Sequence, residues 1–208
     1  MHYSYCPVCG GGLVRLPPGN TSSPDDLRTC GSCGYEFWQN SKPCVSAVIV
    51  RADGQEQYIL LTRRAIEPYR GCWDVPGGYL HNGEPPEQGL ARELAEELSV
   101  PLLRPCLADI EIDEYLRADV PREARFTFNV FYLCTLPADI EPKPADDVTE
   151  ARWFPLSEVP LGLAFPSNNR VLARLRGRIG EYLSENRGTS GPSPFAAGGA
   201  GSSPPGGR

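Results

Sequence analysis

The stretch from Gly78 to Val100, GYLHNGEPPEQGLARELAEELSV, constrains this chain most. Leu90, Leu94 and Leu98 recur at i, i+4 and i+8 with Ala91 and Ala95 beside them, so a helix here carries one apolar stripe able to face a core. Glu93, Glu96 and Glu97 fall at i, i+3 and i+4, which gathers three carboxylates on an adjoining patch of the same helix. Like charges so placed repel one another by a few tenths of a kcal/mol per pair unless a cation sits among them. A solvated acidic helix face is the plain alternative. Hard carboxylate oxygens also suit Mg²⁺ or Mn²⁺, which take one or two carboxylates together with waters and phosphate oxygens.

The loop in front of the helix decides between these readings. Pro76-Gly77-Gly78 makes a glycine turn into a short extended Tyr79-Leu80, Asn82-Gly83 makes a second turn, and Glu84-Pro85-Pro86 opens the helix. Gly78, five residues, Glu84, seven residues and then Arg92-Glu93-Leu94-Ala95-Glu96-Glu97-Leu98-Ser99-Val100 resembles the Nudix box, G-x5-E-x7-R-E-U-x-E-E-x-G-U with U aliphatic. One defined position departs: Ser99 stands where the family has glycine, at the end of the helix, where φ > 0 is favoured. No charged position is altered.

The resemblance implies an α/β fold, the Nudix αβα sandwich with a mixed sheet, and a Mg²⁺- or Mn²⁺-dependent hydrolase that cuts a nucleoside diphosphate linked to another group. It implies that Glu93, Glu96 and Glu97 ligate the metal, with the Gly78 carbonyl as a further ligand, and that Arg92 holds a carboxylate in register, Glu84 or Glu93. Two assignments of the general base stay open: Glu96 first, then an acid between Asp139 and Glu150.

The N-terminus carries a second signal. Cys6-Pro-Val-Cys9-Gly10 and Cys30-Gly-Ser-Cys33-Gly34, twenty residues apart, have the C-x2-C…C-x2-C spacing of a zinc ribbon, each pair followed by a glycine that lets the backbone turn. A redox pair or two disulfides are the competing readings, and a redox motif has no need of duplication. Four thiolates leave zinc no open position for catalysis, so this site is structural or a docking element. The ribbon is expected over residues 1–38, with a mobile loop from Pro17 to Asp26.

The hydrophobic fraction of 40% and charged fraction of 22% are ordinary for a globular protein, and no apolar run reaches membrane-spanning length. A formal net charge of −6 disfavours nonspecific nucleic-acid binding and requires cations at any site for an anionic substrate. The N-terminus lacks a signal-peptide apolar region and the other four cysteines are isolated, so a cytoplasmic protein is expected, with no membrane partner.

Strands are expected from Cys44 to Val50, Tyr58 to Thr62, Leu107 to Tyr115, Phe126 to Thr135 and Glu150 to Phe154. A final helix is expected from Asn168 to Leu183, with Ser167 as its N-cap. Together these give a Nudix domain over residues 44–184. Leu116 to Ala124 reads as a charged loop, and residues 187–208, rich in Gly, Ser and Pro, as a disordered tail. Arg63 and Arg64, ending a strand, are candidates for substrate phosphate, as is Glu84 for a substrate contact; a solvated strand end is the alternative for the arginines. Trp73 reads as core packing ahead of a substrate platform.

The substrate is less constrained. The SQPWPF signature of the ribbon-bearing NADH pyrophosphatases is absent after the box. The ribbon, the connector Gln39-Asn40-Ser41-Lys42-Pro43, WDVPGGYL and Leu163-Ala164-Phe165 resemble the branch that cleaves FAD and ADP-ribose to release AMP. An NAD(H) pyrophosphatase, a hydrolase of RNA caps or 5′ ends, and a non-catalytic nucleotide-sensing regulator are the alternatives. The resemblance also admits a homodimer.

Overall fold

The computed structural model describes residues 3–15, 27–115, 126–137 and 139–186. The loops expected at 17–26 and 116–124 and the tail expected at 187–208 lie outside the described residues. The chain divides into two compact units, Met1–Lys42 with Ile112–Phe128, and Pro43–Glu111 with Asn129–Arg208.

In the first unit, β1 (Leu13–Arg15), β2 (Leu27–Cys30) and β3 (Glu36–Trp38) form a small antiparallel sheet in that order. Each cysteine pair is a tight knuckle: the Gly10 N–H donates to Cys6 O at 2.9 Å and the Gly34 N–H to Cys30 O at 3.0 Å. Both glycines sit at φ 73°, which glycine adopts without a Cβ penalty. Among the described residues here only Cys6, Leu27 and Cys30 are buried hydrophobics. So small a core needs another source of stability, such as a metal held by its cysteines would give.

The second unit is built on β4 (Lys42–Asp53), β5 (Glu56–Arg64), β6 (Trp73–Asp74), β7 (Gly77–Tyr79), α1 (Pro86–Leu98), β8 (Cys106–Glu114), β9 (Phe126–Thr135), β10 (Val148–Pro155) and α2 (Pro166–Glu185). The sheet runs β10-β5-β4-β9-β8, with β6 beside β5 and β7 beside β4. Alternation along β4 assigns the faces. Val45, Ala47 and Ile49 join Leu60, Tyr132 and Cys134 under Leu90, Leu94 and Leu98 of α1. Val48 and Val50 join Ile59, Leu61, Phe131 and Leu133 under Val171, Leu175 and Ile179 of α2. A strand buried on both faces reads as the continuous apolar run Ala47 to Val50 shows. Each buried Val, Leu, Ile and Phe among these contributes about 1.5–3 kcal/mol, so the two helices are fixed to opposite faces, as expected of the αβα sandwich.

Two elements differ in detail from the sequence expectation. In β8 the apolar residues Leu107 and Ile110 are exposed, while Asp109 and Glu111 turn toward α2. Arg170, Arg174 and Arg178, spaced by one helical turn, explain this. Arg170 donates to Glu111, Arg174 to Asp109 at 2.7 Å and to Glu111, and Arg178 to Ala108 O at 3.1 Å. The N-cap of α2 is Phe165, with Pro166 opening the helix, so Ser167 lies inside the first turn and is buried. Proline at the first helical position has no N–H to leave unpaired.

Candidate active site and zinc site

Helix α1 begins after Pro85 without a side-chain cap and ends at Ser99, φ 55° and ψ 35°, a left-handed residue whose N–H reaches Ala95 O. The box departure therefore keeps the geometry that glycine favours, now carried by serine at some strain.

Arg92 organises the carboxylates. Its Nε donates to Glu84 Oε1 at 2.9 Å and its Nη2 to Glu84 Oε2 at 2.9 Å, a bidentate pair; Nη2 also reaches Tyr79 O at 3.0 Å. Nη1 donates to Glu93 Oε1 at 2.8 Å and to Glu96 Oε2 at 3.0 Å. The five N–H groups of a guanidinium thus have five contacts. Arg92 holds the Glu84 carboxyl down at about 2, helped by the His81 N–H at 2.9 Å. The Glu84 carboxylate, with Glu93 and Glu96, raises Arg92 further above its ordinary value.

Two glycines admit the rest of the cluster. A Cβ on Gly78 would stand 2.6 Å from the Glu93 carboxyl, and one on Gly77, at φ 143°, would stand 2.1 Å from Val45 O. Backbone therefore lies directly against the helix carboxylates on one side and against β4 on the other. The Gly77 N–H donates to Glu97 Oε2 at 3.0 Å. Glu97 is 4% exposed, and burial, with Asp147 next, drives its pKa well above the usual range. Burial likewise raises Glu93, against the pull of Arg92. The Glu96 side chain stays about half exposed.

Asp147 is one of the acids between Asp139 and Glu150 that the sequence offers as a second general base. The segment before β10 brings it in: Ala145 N–H donates to Glu97 O at 2.8 Å, Lys143 N–H to Leu98 O at 2.8 Å, and Ala65 N–H to Asp147 O at 2.7 Å. A buried carboxylate such as Glu97 beside a second acid is costly with no positive charge between them. Glu93, Glu96, Glu97 and Asp147 offer hard carboxylate oxygens of the kind that suits a divalent cation.

Arg63 and Arg64 part company. Arg64 is drawn inward, its Nη1 pairing with Asp74 Oδ2 at 3.0 Å and its Nε donating to Pro68 O at 2.9 Å. Asp74, buried, is raised to about 6 by desolvation despite that arginine, and it also takes a bond from Asn168 Nδ2 at 2.5 Å. Arg63 stays exposed, with its Nε on Gly71 O at 2.9 Å. Glu84 is committed to Arg92.

At the ribbon, the sulfurs of Cys6, Cys9, Cys30 and Cys33 lie within 4.8 Å of one another. Cys6 and Cys33 are 3.7 Å apart, and Cys9 and Cys30 3.5 Å. Disulfides require about 2.05 Å, whereas zinc bonds of about 2.3 Å set tetrahedral sulfurs about 3.8 Å apart. The Val8 and Gly11 amides donate to Cys6 Sγ and Cys9 Sγ at 3.4 Å each. Backbone amides of Cys33 and Ser32 bring the Cys30 thiol down to about 6. Cys33, although the Tyr35 amide lowers it, is pushed up to about 12 by the Cys9 thiol and burial. The donor set fits zinc. Cys44, Cys72, Cys106 and Cys134 lie outside this cluster.

The NUDIX domain pattern matches residues 41–175, the segment that carries the Arg92 cluster. The chain belongs to the NUDIX family. An ADP-ribose pyrophosphatase of Methanocaldococcus jannaschii is 30% identical over 147 residues, covering 70% of this chain and 80% of that protein. A NAD-capped RNA hydrolase NudC of Stutzerimonas stutzeri is 26% identical over 83% of this chain, which spans 55% of that relative's length. A NUDIX hydrolase structure from Nitrosomonas europaea superposes with a TM-score of 0.66 and 26% identity, over 86% of this chain and 93% of that one. Nudix enzymes generally use divalent metals such as Mg²⁺. In this Nudix protein α1 is the box helix. Among the described residues no helix is long and apolar enough to cross a membrane.

Proposed function

We propose that this Nudix protein hydrolyses a nucleoside diphosphate linked to a second moiety, ADP-ribose or FAD foremost, releasing AMP with ribose 5-phosphate or FMN. The observation that carries this reading is the Arg92-centred cluster, in which buried Glu97 is held by Gly77 and faces Asp147. The residues assigned to Mg²⁺, or Mn²⁺, are Glu93, Glu96 and Glu97, with Asp147 beside them and the Gly78 carbonyl as a further ligand. Such an ion, when bound, neutralises the diphosphate and acidifies a water. Arg92 fixes Glu93 and Glu96 in one arrangement, so little reorganisation is needed at the moment of reaction.

Glu96, half open to solvent, takes the proton of the attacking water; Asp147 is the second candidate for that role. Water oxygen bonds to one phosphorus, the bond from that phosphorus to the bridging oxygen breaks, and the bridging oxygen leaves on the other phosphate. The ribbon, residues 1–38, takes a structural Zn²⁺, and the catalytic domain spans 44–184.

The NudC relative favours a second reading, NAD or a NAD-capped RNA 5′ end, which joins AMP to its partner through the same diphosphate. The net charge of −6 weighs against a long RNA partner. A panel of ADP-ribose, FAD, NAD, NAD-capped RNA and nucleoside triphosphates with Mg²⁺, scored by AMP release, decides. Fastest turnover of ADP-ribose or FAD is expected; preference for capped RNA supports the second reading; no turnover of any overturns both in favour of a sensing protein.

A further inference from the structure

The largely buried ion pair of Arg64 and Asp74, 3.0 Å apart, has no part in the chemistry proposed above. Asp74 is engaged at both oxygens: Oδ2 takes Arg64 Nη1, while Oδ1 takes the Val75 N–H at 2.9 Å and Asn168 Nδ2 at 2.5 Å. Arg64 also donates from Nε to Pro68 O at 2.9 Å, and its Cζ lies 5.1 Å from the centroid of the Phe165 ring. Asn168 belongs to α2, so the pair sits on the α2 side of the sheet, opposite the box helix.

Such a pair adds little net stability, because the loss of water around two charges offsets their attraction. A satisfied buried network does, however, hold the segments that carry it in one arrangement. The two segments here are the ones that anchor Asp147 and Glu97. Arg64 ends β5, where it pairs in register with Val148, and the next residue, Ala65, donates its N–H to Asp147 O at 2.7 Å. Asp74 ends β6, and three residues on, Gly77 donates its N–H to Glu97 Oε2 at 3.0 Å. Between them Pro76 O takes the Ala47 N–H at 2.8 Å, so the stretch has little freedom once Asp74 is fixed.

Asp147 acts on Glu97 as a neighbouring acid, and two carboxylates with no cation between them push their anchors apart. A tie between those anchors opposes that push. We infer that Arg64 and Asp74, steadied by Asn168, are positioning residues that hold the Asp147 and Gly77 segments at the separation a divalent cation uses. They act through the backbone and touch neither the cation nor the substrate. This rests on the metal reading above and extends it to side chains on the far face of the sheet.

The test is Mn²⁺ binding to the zinc-loaded full chain without substrate, followed by electron paramagnetic resonance, for the wild type, Glu97→Gln, Asp74→Asn, Asn168→Ala and Val171→Ala. The Mn²⁺ that Glu97→Gln loses defines the cluster. Asp74→Asn should raise the Kd of that Mn²⁺ about 10-fold, and Asn168→Ala, which leaves the ion pair in place, should raise it by a smaller factor. Val171→Ala truncates a buried side chain of the same helix, so it should lower the Tm and leave the Kd unchanged. Wild-type Mn²⁺ affinity in a folded Asp74→Asn, or in Asn168→Ala where Asp74→Asn does not fold, overturns the positioning role and leaves the metal reading standing. A Kd raised equally by Val171→Ala assigns the effect to lost packing and also overturns it. Mn²⁺ bound as tightly by Glu97→Gln as by the wild type overturns the metal reading and the positioning role with it.

Discussion

Arg92 and Glu84 form a fixed pair rather than a reactive one. The folded pKa of Glu84, about 2, lies below the ordinary carboxylate value near 4.3. Its contribution to stability is therefore complete above about pH 4.3 and lost as pH falls toward 2. Glu84→Gln should cost on the order of 1–2 kcal/mol at pH 7, with the gap to wild type closing between pH 4 and 2 in thermal melts; a gap constant with pH would remove this role. Glu97→Gln keeps an oxygen for the Gly77 N–H but loses the charge. A fall of about 100-fold or more in kcat is expected with the fold intact by circular dichroism, and full activity at saturating Mg²⁺ would refute the ligand assignment. The box residues were legible because one helix holds them at fixed spacing. Asp147 was not, since its place depends on backbone bonds from Lys143 and Ala145 to the end of α1. The inward turn of Arg64 was equally hidden, being set by Asp74 ten residues away.

At the scale of elements, the departure at Ser99 is a testable strain. Ser99 at φ 55° is non-glycine in the left-handed region, and Ser99→Gly should gain about 0.5–1 kcal/mol, read as a higher Tm; no gain would mean that the cap carries no strain. The ribbon makes a separate prediction. Replacing Cys30 and Cys33 together by serine should remove one equivalent of zinc in elemental analysis, and zinc retained at one equivalent would place it elsewhere. Long apolar strands such as β4 and the periodic helices were readable from pattern. Two- and three-residue strands such as β6 and β7 were not, because they are defined by partners on β5 and β4. The strand at β8 was legible, but not the pairing of Asp109 and Glu111 with the arginines of α2, which lie 65 and 59 residues away.

For the whole molecule, an acidic chain that sets Glu93, Glu97 and Asp147 beside Gly77 and Gly78 offers the carboxylate oxygens that the proposed divalent cation would take. The family and the layered fold were legible through one 23-residue stretch and the apolar strands and helix on either side of it. The substrate was not, because no local pattern of the sequence carries it. The most direct test of the central claim is AMP release from ADP-ribose by the purified full chain, measured with Mg²⁺ and with a chelator. Rapid release with Mg²⁺, abolished by the chelator, is the result predicted. Nucleoside triphosphates turned over far faster, or no metal-dependent release of AMP, would contradict it.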